Sequence, residues 1–270
     1  MLIQQSVIEE ASTSVRVCVL GSGSSGNCTL VAAGRARVLV DAGLSYREIR
    51  RRLRLVGEDF SRLDAILITH EHTDHVAGLA MLARKFLKPI FVTPLTESRL
   101  DWGEAKPRLE KFQAGRRFTI GDLEVDSFTI PHDAVDPVGY CFRAQGLKVG
   151  VVTDLGYMPE SVKHQIRGCH LLVLESNHDL DMLKVGPYPW FVKQRVMSRV
   201  GHLSNHAVET FLQSDFDRRS QVLVLAHLSE QNNHPEIARL AASGALRTAG
   251  ARETRLVVAE QGRPTEMFQF

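Results

Sequence analysis

Cysteine is scarce in this 270-residue chain, and its four cysteines follow no recognisable motif. Cys18, Cys28, Cys141 and Cys169 are scattered and form no C-x-x-C pair. This spacing excludes the usual C-x-x-C zinc and redox motifs. Cys18 and Cys141 lie in apolar runs, where a thiol is most often a small core side chain.

Long hydrophobic runs and a marked excess of one charge are absent as well. No run reaches the length of a membrane span, and residues 1–14 contain Glu9 and Glu10 but no apolar segment typical of a secretory signal. We therefore expect a cytoplasmic protein with no membrane partner. The net charge of +2 does not by itself favour nucleic acid, so a polyanionic substrate would need a local basic patch or bound metal ions.

The composition, 44% hydrophobic and 24% charged, is typical of a globular protein. We expect one domain over residues 15–270, preceded by an N-terminal extension at residues 1–14. Residue patterns predict strands at 15–20, 28–33, 36–40, 65–68, 117–120, 123–130, 138–144, 147–152, 171–174, 222–226 and 256–259. They predict helices at 46–56, 76–87, about 190–199, 205–213 and 235–246. This order favours an α/β (α+β) fold with two sheets packed face to face and helices outside, rather than a doubly wound parallel sheet.

The most informative motif is T-H-E-H-T-D-H at residues 69–75, directly after an apolar run. On an extended backbone His70 and His72 project the same way, and Asp74 and His75 follow as the chain coils. Such a loop can direct two imidazoles at one metal and a carboxylate plus an imidazole at a second, which suits zinc, manganese or iron. A polar turn that caps a helix would explain Asp74 alone and would leave three histidines unexplained.

Three further polar residues share one position, the end of an apolar strand-like run. They are His132, Asp154 and His227. One such residue alone is most often a core-edge side chain. Three of them, added to the motif at 69–75, complete two coordination spheres and leave one aspartate to bridge.

A glycine-rich loop, G-S-G-S-S-G at residues 21–26, matches the dinucleotide-binding fingerprint. That fingerprint requires a helix to begin at the loop, whereas residues 28–31 are strand-like. We therefore predict a tight connection near the metals instead. The loop is either a simple turn or a source of backbone N–H groups for a substrate anion.

The H-x-H-x-D-H motif, followed in order by His132, Asp154 and His227, resembles the metallo-β-lactamase fold superfamily. Four segments further resemble its YycJ/WalJ branch: G-S-G-S-S-G-N-C at 21–28, L-E-S-N-H-D at 174–179, G-H-L-S-N at 201–205 and H-L-S-E-Q-N-N at 227–233. That branch is described as metal-dependent phosphodiesterases and exonucleases acting on DNA. The resemblance spans roughly residues 15–260 and implies an αββα four-layer sandwich of two mixed sheets.

The resemblance also implies two divalent metal ions, zinc or manganese, with iron as a further option. Their ligands would be His70, His72 and His132 for one ion and Asp74, His75 and His227 for the other, with Asp154 bridging. Asp41 would lie behind these ligands and orient a ligand histidine, which fixes its tautomer. An aspartate at 154, without the thiolate of the zinc β-lactamases, points to the phosphodiesterase and thioesterase branches and argues against antibiotic hydrolysis.

Two cations about 3.5–4 Å apart can activate a shared water and hold both oxygens of an in-line displacement. We expect a metal-bridging hydroxide to attack a phosphodiester phosphorus, with Asp74 orienting it. An alkoxide leaving group benefits from a general acid, for which His178 and His202 are the candidates.

Substrate contacts are predicted in two loops. His202 and Ser204 could bind a phosphate, while Ser204 and Asn205 could equally cap a helix. Ser229 and Asn232 are expected to contact substrate. Asn233, which precedes His234 and Pro235, is expected to cap a helix.

Two basic sets could guide a nucleic-acid backbone. The first is Arg47, Arg50, Arg51, Arg52 and Arg54; the second is Lys184, Lys193, Arg195 and Arg199, near Tyr188 and Trp190. A solvated helix face is the favoured interpretation of the first set. For the second set both interpretations stay open, and an aromatic ring there could stack an unpaired base.

The sequence therefore predicts a dinuclear metal-dependent phosphodiesterase with a nucleic-acid substrate, and the resemblance specifies a 5′-to-3′ DNA exonuclease. The alternative is a hydrolase of small substrates such as a cyclic phosphodiester or thioester, which would have a closed pocket without a basic track. A non-catalytic metal-binding module is disfavoured by the intact ligand set.

Overall fold

The computed structural model describes residues 14–270, so the predicted extension at 1–14 lies outside the described residues except for Ser14. Its strands are β1 Val15–Gly21, β2 Cys28–Ala33, β3 Ala36–Val40, β4 Ala65–Leu67, β5 Ile90–Val92, β6 Leu109–Lys111, β7 Arg117–Ile120, β8 Leu123–Thr129, β9 Val138–Ala144, β10 Leu147–Val152, β11 Leu171–Glu175, β12 Val222–Ala226, β13 Arg255–Val258 and β14 Phe268–Gln269. Its helices are α1 Tyr46–Leu55, α2 Thr73–Val76, α3 Leu79–Ala83, α4 Pro94–Glu97, α5 Glu160–Ile166, α6 Leu180–Val185, α7 Trp190–Val196, α8 Asn205–Ser214 and α9 Pro235–Ala249, with a 3-10 turn at Phe60–Arg62. No helix among the described residues has the length and apolar character needed to span a membrane.

The strands form two seven-stranded mixed sheets. The first has the order β14-β1-β2-β3-β4-β5-β6 and the second the order β13-β12-β11-β10-β9-β8-β7. In each sheet an antiparallel part continues into a parallel part, which begins at β3 and β4 in the first sheet and at β10 and β11 in the second. The predicted pair of mixed sheets is confirmed.

Three hydrophobic clusters hold these layers together. Residues of both sheets, such as Val38 and Tyr140, share the cluster between them. A second cluster packs α5, α8 and α9 on the outer face of the second sheet, and a third packs α1 and α3 on the outer face of the first. The helices therefore lie outside two facing sheets, which is the predicted four-layer αββα arrangement.

The topology brings several strand ends to one edge of the molecule. Parallel strands end on the same side of a sheet, and an open α/β fold binds its ligands at that carboxyl edge. The loops after β3 and β4 leave the first sheet there, and those after β8, β10, β11 and β12 leave the second. These six loops carry the polar residues discussed below.

The prediction of one continuous helix at 76–87 is wrong. The structure has two short helices, α2 and α3, separated by Ala77 and Gly78. The N–H of Gly78 donates to the carbonyl of Ala42 at 2.9 Å instead of continuing a helix. A Cβ at Gly78 would lie 2.0 Å from the carbonyl oxygen of Leu44. The chain breaks the helix here so that it can lie against the loop after β3.

Gly43 creates the closest backbone approach beneath the T-H-E-H-T-D-H loop. A Cβ at this position would lie 1.7 Å from the carbonyl oxygen of Asp74 and 2.6 Å from the backbone nitrogen of Asn27. That carbonyl already accepts a 2.7 Å hydrogen bond from the Asn27 N–H. Only glycine therefore lets three loops meet behind Asp74.

We predict that Gly43→Ala destabilises the fold by at least about 1–3 kcal/mol, since the added methyl must displace backbone rather than a flexible side chain. Urea unfolding would measure the change. Gly262→Ala is the matched control, because a Cβ there meets nothing within 4 Å. Equal midpoints for the two variants would contradict the close packing.

Candidate metal centre

The first candidate site consists of three imidazoles from two loops. His70 and His72 come from the loop after β4, and His132 comes from the loop after β8. The Nε2 atom of His132 lies 3.1 Å from the Nδ1 atom of His72, so both lone pairs can face one ion. The Nε2 atom of His70 is buried and has no hydrogen-bond partner among the described residues. A cation coordinated by all three would satisfy that nitrogen.

The second candidate site combines a carboxylate with two imidazoles. Asp74 and His75 lie at the start of α2, and His227 follows β12. The Oδ2 atom of Asp74 lies 3.0 Å from His227 Nε2 and 3.5 Å from His75 Nε2. Three ligand atoms thus converge from both sheets.

Asp154 lies between the two groups at the end of β10 and is almost completely buried. Its Oδ2 atom is 3.1 Å from His75 Nε2, and its Oδ1 atom is 3.7 Å from His132 Nε2. One carboxylate therefore faces a histidine of each group. The seven residues predicted as ligands are brought together, and this donor set of imidazole and carboxylate fits divalent zinc, manganese or iron.

Each buried ligand histidine has a partner on its other ring nitrogen. His75 Nδ1 contacts Asp41 Oδ2 at 2.7 Å, and His227 Nδ1 contacts Glu175 Oε1 at 2.8 Å. The Nδ1 atom of His132 lies 3.1 Å from the Gly201 carbonyl, and that of His70 lies 3.0 Å from the Thr69 hydroxyl. Such contacts fix the ring orientation and the tautomer that leaves Nε2 available to a metal. Asp41 lies where the sequence predicts it, behind a ligand histidine.

The charge state of the ligands follows from their surroundings. Burial, together with neighbouring His75, holds the pKa of His70 well below its ordinary value, which keeps the imidazole neutral. Burial also opposes the charged form of His227, but Asp154, Asp74 and Glu175 raise its pKa to about 10. Burial likewise opposes ionisation of Asp74, yet hydrogen bonds from His227 and His75 hold its pKa well below the usual range. Within the cluster, buried carboxylates and charged imidazoles thus compensate one another.

The backbone is unusual at the same places. Asp41, Asp154 and His227 adopt positive φ angles of 64°, 63° and 55°. Gln145, in the predicted β9–β10 hairpin, is the other non-glycine residue with positive φ among residues 14–270. A left-handed conformation is uncommon for residues other than glycine, and it clusters at functional sites. Here it turns each side chain sharply at the end of its strand.

Comparison with known proteins agrees with this geometry. Residues 36–228 match the family model of the beta-lactamase superfamily domain. Exodeoxyribonuclease YycJ of Bacillus anthracis is 37% identical over 235 residues, which cover 86% of this chain and 89% of that protein. Exodeoxyribonuclease WalJ of Streptococcus pneumoniae (strain D39 / NCTC 7466) is 34% identical over 227 residues, which cover 82% of this chain and 84% of that protein.

The chain belongs to the β-lactamase superfamily. Its identity of 37% to YycJ and 34% to WalJ, over most of their lengths, confirms the predicted branch. This chain superposes on the crystal structure of the metallo-beta-lactamase fold protein YhfI from Bacillus subtilis with a TM-score of 0.72 at 18% identity. The superposition covers 95% of this chain and 100% of the YhfI chain. That similarity confirms the fold. The chain is thus a metal-dependent hydrolase of this superfamily.

A cavity of about 490 Å³ lies at this cluster, lined by His72, Asp74, Asp154 and His227 of the predicted ligands and by His202. His202 Nδ1 contacts Glu175 Oε1 at 2.8 Å, and its side chain is about one-fifth exposed. Burial opposes the charged form of His202, but Glu175 and Asp154 raise its pKa above the ordinary value. His202 therefore lies at the cavity with its charged form favoured by two neighbouring carboxylates.

Glu175 is a site residue that the sequence analysis missed. It is fully buried, and its Oε2 atom accepts hydrogen bonds from the N–H groups of Leu155 and Leu203 at 2.8 and 3.0 Å. Its Oε1 atom holds both His202 and His227. A signal was available, because Glu175 ends an apolar strand just as Asp154 and His227 do.

Asn27 is a second residue that was missed. Its Nδ2 atom lies 3.2 Å from Asp74 Oδ2 and 3.2 Å from His75 Nε2. The Ser22 hydroxyl, in the same glycine-rich loop, accepts a hydrogen bond from the His227 N–H at 2.8 Å. As predicted, β2 rather than a helix follows this loop, so the loop is not a dinucleotide-binding motif.

Two predicted residues do not line the cavity. His178 is buried, and burial lowers the pKa of its imidazole to about 4, so it is neutral where it lies. Ser204 caps α8, with its hydroxyl accepting a hydrogen bond from the Ala207 N–H at 3.1 Å. Neither residue therefore faces the cavity as a general acid or as a phosphate contact.

Ser229 and Asn232 line the cavity together with Asn177. The Ser229 hydroxyl accepts a 3.2 Å hydrogen bond from the Asn232 N–H, so this loop is ordered by its own side chains. The expectation that Asn233 caps a helix is wrong, because His234 is the cap of α9 and its ring accepts from the Glu236 N–H. The Asn233 amide instead joins Asn205 to backbone carbonyls, which supports the loop from behind.

In the structure, some residues of the two predicted basic sets are buried or paired with other groups. Arg52 is buried and donates to the carbonyl of Leu20, so it belongs to the core side of α1. Lys193 is buried and donates to the Lys184 carbonyl at 2.7 Å. Arg195 lines the cavity but forms an ion pair with Asp133. Long side chains here satisfy backbone and carboxylate groups, which the sequence pattern does not reveal.

We predict that Asp41→Asn lowers metal affinity about 10- to 100-fold. The substitution replaces the carboxylate that accepts a hydrogen bond from His75 Nδ1 with a neutral amide, so the tautomer of His75 is no longer fixed. Competition with a chromophoric chelator would measure the affinity. Asp101→Asn, an exposed aspartate that also accepts a backbone hydrogen bond, is the matched control. Unchanged affinity in Asp41→Asn would exclude the positioning role.

Proposed function

We propose that this protein is a nuclease that hydrolyses phosphodiester bonds of DNA from strand ends with two bound divalent metal ions. The proposed sites are His70, His72 and His132 for one ion and Asp74, His75 and His227 for the other, with Asp154 shared. The observation that carries this proposal is the position of Asp154, whose two oxygens face histidines of both groups. A carboxylate in that position suits a pair of cations better than one.

When bound, two such ions supply Lewis-acid charge and an acidified water for in-line attack on phosphorus. The chain's own groups arrange the reaction around them. The carboxylate of Asp74, about one-quarter exposed where it lines the cavity, can orient the attacking water and accept its proton. The Asn27 amide donates a hydrogen bond to that carboxylate at 3.2 Å.

His202 is the proposed general acid for the departing alkoxide. It carries a proton on each nitrogen when charged, and Glu175 holds its Nδ1 atom, which leaves Nε2 for the leaving oxygen. Glu175 in turn is fixed by two backbone N–H groups and cannot rotate away. The same carboxylate orients His227, so acid and metal ligand share one support.

The assignment to DNA and to exonuclease action is supported by the two relatives named exodeoxyribonuclease, which match most of this chain. We expect 5′-to-3′ polarity and an ion chosen from zinc and manganese, with iron compatible with the same ligands. The runner-up is a small-substrate phosphodiesterase or thioesterase. It is favoured by the limited basic surface, since Lys193 is buried and Arg195 is paired.

The direct test is degradation of end-labelled single- and double-stranded DNA and RNA by protein reconstituted with each metal. The proposal predicts that 5′-labelled DNA first releases short labelled products, before any internal cleavage of the strand. Release first from 3′ ends would overturn the polarity alone. Hydrolysis of a cyclic dinucleotide without any degradation of DNA would favour the runner-up.

We expect Asp74→Ala to lower kcat for a bis-aryl phosphodiester at least about 100-fold, because both water orientation and a metal ligand are lost. Glu104→Ala, whose side chain is 90% exposed, is the control. Bound metal should be counted for both variants. Turnover of Asp74→Ala near that of the control would refute the role.

For His202→Ala we expect a loss that depends on the leaving group. Cleavage of DNA, whose alkoxide needs a proton, should fall about 100-fold or more in kcat, whereas a good aryl leaving group should be affected much less. Glu175→Gln should lower cleavage of both substrates, because Glu175 holds His227 as well as His202. Equal losses for both substrates, expressed mainly in KM, would identify His202 as a phosphate contact instead.

A further inference from the structure

His72 differs from the other predicted imidazole ligands in its surroundings. The other four are buried, and the Nδ1 atom of each has a hydrogen-bonding partner: His70, His75, His132 and His227. The side chain of His72 is 28% exposed, and within residues 14–270 its Nε2 atom has no hydrogen-bonding partner. Metal-bound imidazoles almost always donate their second ring N–H to an acceptor, so His72 is the ligand whose acceptor is missing from this arrangement.

The carboxylate beside this ring belongs to Asp133. Its Oδ1 atom lies 4.0 Å from His72 Nε2 and 3.4 Å from His132 Nε2. Asp133 lines the cavity, and its side chain is 22% exposed. Among the described residues it is the one carboxylate within 4.0 Å of a His72 ring nitrogen. An approach of about 1 Å, which a partly exposed side chain can make, converts this separation into a hydrogen bond of ordinary length.

Asp133 is held in place by two other segments. Its Oδ2 atom accepts a hydrogen bond from Arg195 Nε on α7, and its N–H donates to the Val200 carbonyl at 2.9 Å. The same loop is tied to the T-H-E-H-T-D-H loop, because the Val135 N–H donates to Glu71 Oε1 at 2.9 Å. One carboxylate oxygen of Asp133 is thus engaged by the guanidinium, and Oδ1 remains for the imidazoles.

We propose that Asp133 is a positioning residue of the first metal site, and that its Oδ1 atom accepts a hydrogen bond from His72 Nε2 when a cation binds Nδ1. This inference rests on the two-ion arrangement of the proposed function. Coordination at Nδ1 makes the Nε2–H a stronger donor, which draws the carboxylate to hydrogen-bond distance. The carboxylate then fixes the ring and raises its basicity as a ligand. Through Arg195, the same contact connects the first site to the cavity wall at α7.

Direct coordination by Asp133 fits the distances less well. Two neighbouring ligand atoms of a tetrahedral zinc ion lie roughly 3.4 Å apart for bonds of about 2.1 Å. The distance from Asp133 Oδ1 to His132 Nε2 matches that value, but the nearest nitrogen of His72 is 4.0 Å away. His70, His72 and His132 offer ligand atoms that all lie within 4.8 Å of one another, and Asp133 is not part of that group. Support of His72 is therefore the better assignment.

Metal affinity tests the proposal without any turnover. Zinc is titrated in competition with a chromophoric chelator into wild type, Asp133→Asn and Asp133→Ala. We expect Asp133→Ala to weaken binding at one site about 10-fold, the lower end of the usual effect, because both side chains are partly exposed. Asp133→Asn keeps an acceptor oxygen and should lose less. Unchanged affinity in both variants, or equal losses that reflect charge alone, would overturn the positioning role.

Asp217→Asn is the matched control. Asp217 also forms an ion pair with an arginine, Arg219, and its side chain is 15% exposed, but it is not part of the cavity lining. Its zinc affinity should equal that of wild type. Thermal unfolding of the metal-free proteins checks that each variant is folded. A loss in Asp217→Asn as large as that in Asp133→Ala would contradict a role specific to the metal site.

NMR reports on the hydrogen bond of His72 itself. His72 presents Nδ1 toward His132 Nε2, so it carries its ring proton on Nε2, whereas the other four imidazoles carry theirs on Nδ1. In zinc-loaded, ¹⁵N-labelled protein, two-bond correlations identify this tautomer. The proposal predicts an Nε2–H signal that is protected from exchange with water and is lost in Asp133→Ala, while the Nδ1–H signals remain. A signal that persists in Asp133→Ala, or that is unprotected in wild type, would overturn it.

Crystals of the loaded protein separate this inference from the proposed function. At limiting manganese, Asp133→Ala should lose the anomalous peak near His132 in preference to the peak near His227. Equal loss of both peaks, or a bond of about 2.2 Å from Asp133 Oδ1 to the ion in wild type, overturns the positioning role but leaves the two-ion site. Fewer than two peaks in wild type overturns the proposed function instead, and zinc affinity and NMR then decide the role of Asp133.

Discussion

The placement of one buried carboxylate, Asp154, constrains the rest of the site. It lies among His75, His132 and His227, within 3.1–3.7 Å of a nitrogen of each. A buried charge is tolerated only where opposite charge and hydrogen bonds compensate its lost hydration. The surrounding imidazoles provide that compensation, and the two divalent ions of the proposed function would add to it. The stability of this centre and its chemistry therefore depend on the same electrostatic balance.

The fold supplies the geometry at small structural cost. In each sheet the parallel strands end at the same edge. The residues that follow β4, β10, β11 and β12 therefore lie close together without long loops. Asp41, Asp154 and His227 each turn out of a strand through a left-handed backbone conformation. Gly43 and Gly78 let the loops behind α2 approach closely. Rigid sheets and tight turns hold the predicted ligands, whereas α7 contributes Val192, Arg195 and Val196 to the cavity wall.

The sequence predicted what depends on local pattern. Apolar strands ending in a polar residue identified Asp154 and His227, and the T-H-E-H-T-D-H motif placed four ligand candidates on one loop. It failed where a residue's role depends on distant partners. Glu175 was missed although it also ends an apolar strand, because its role follows from its contacts with His202 and His227. Lys193 resembled a surface cation until the structure showed it bonded to a carbonyl. The break at Gly78 depends on Ala42 and Leu44, which no local periodicity reports.

The most direct measurement is an anomalous-scattering map of crystals of the manganese-reconstituted protein. The account predicts two peaks about 3.5–4 Å apart, one near His70, His72 and His132 and one near Asp74, His75 and His227, with the Asp154 carboxylate between them. A single peak, or a pair of peaks without Asp154 as a common ligand, would contradict it.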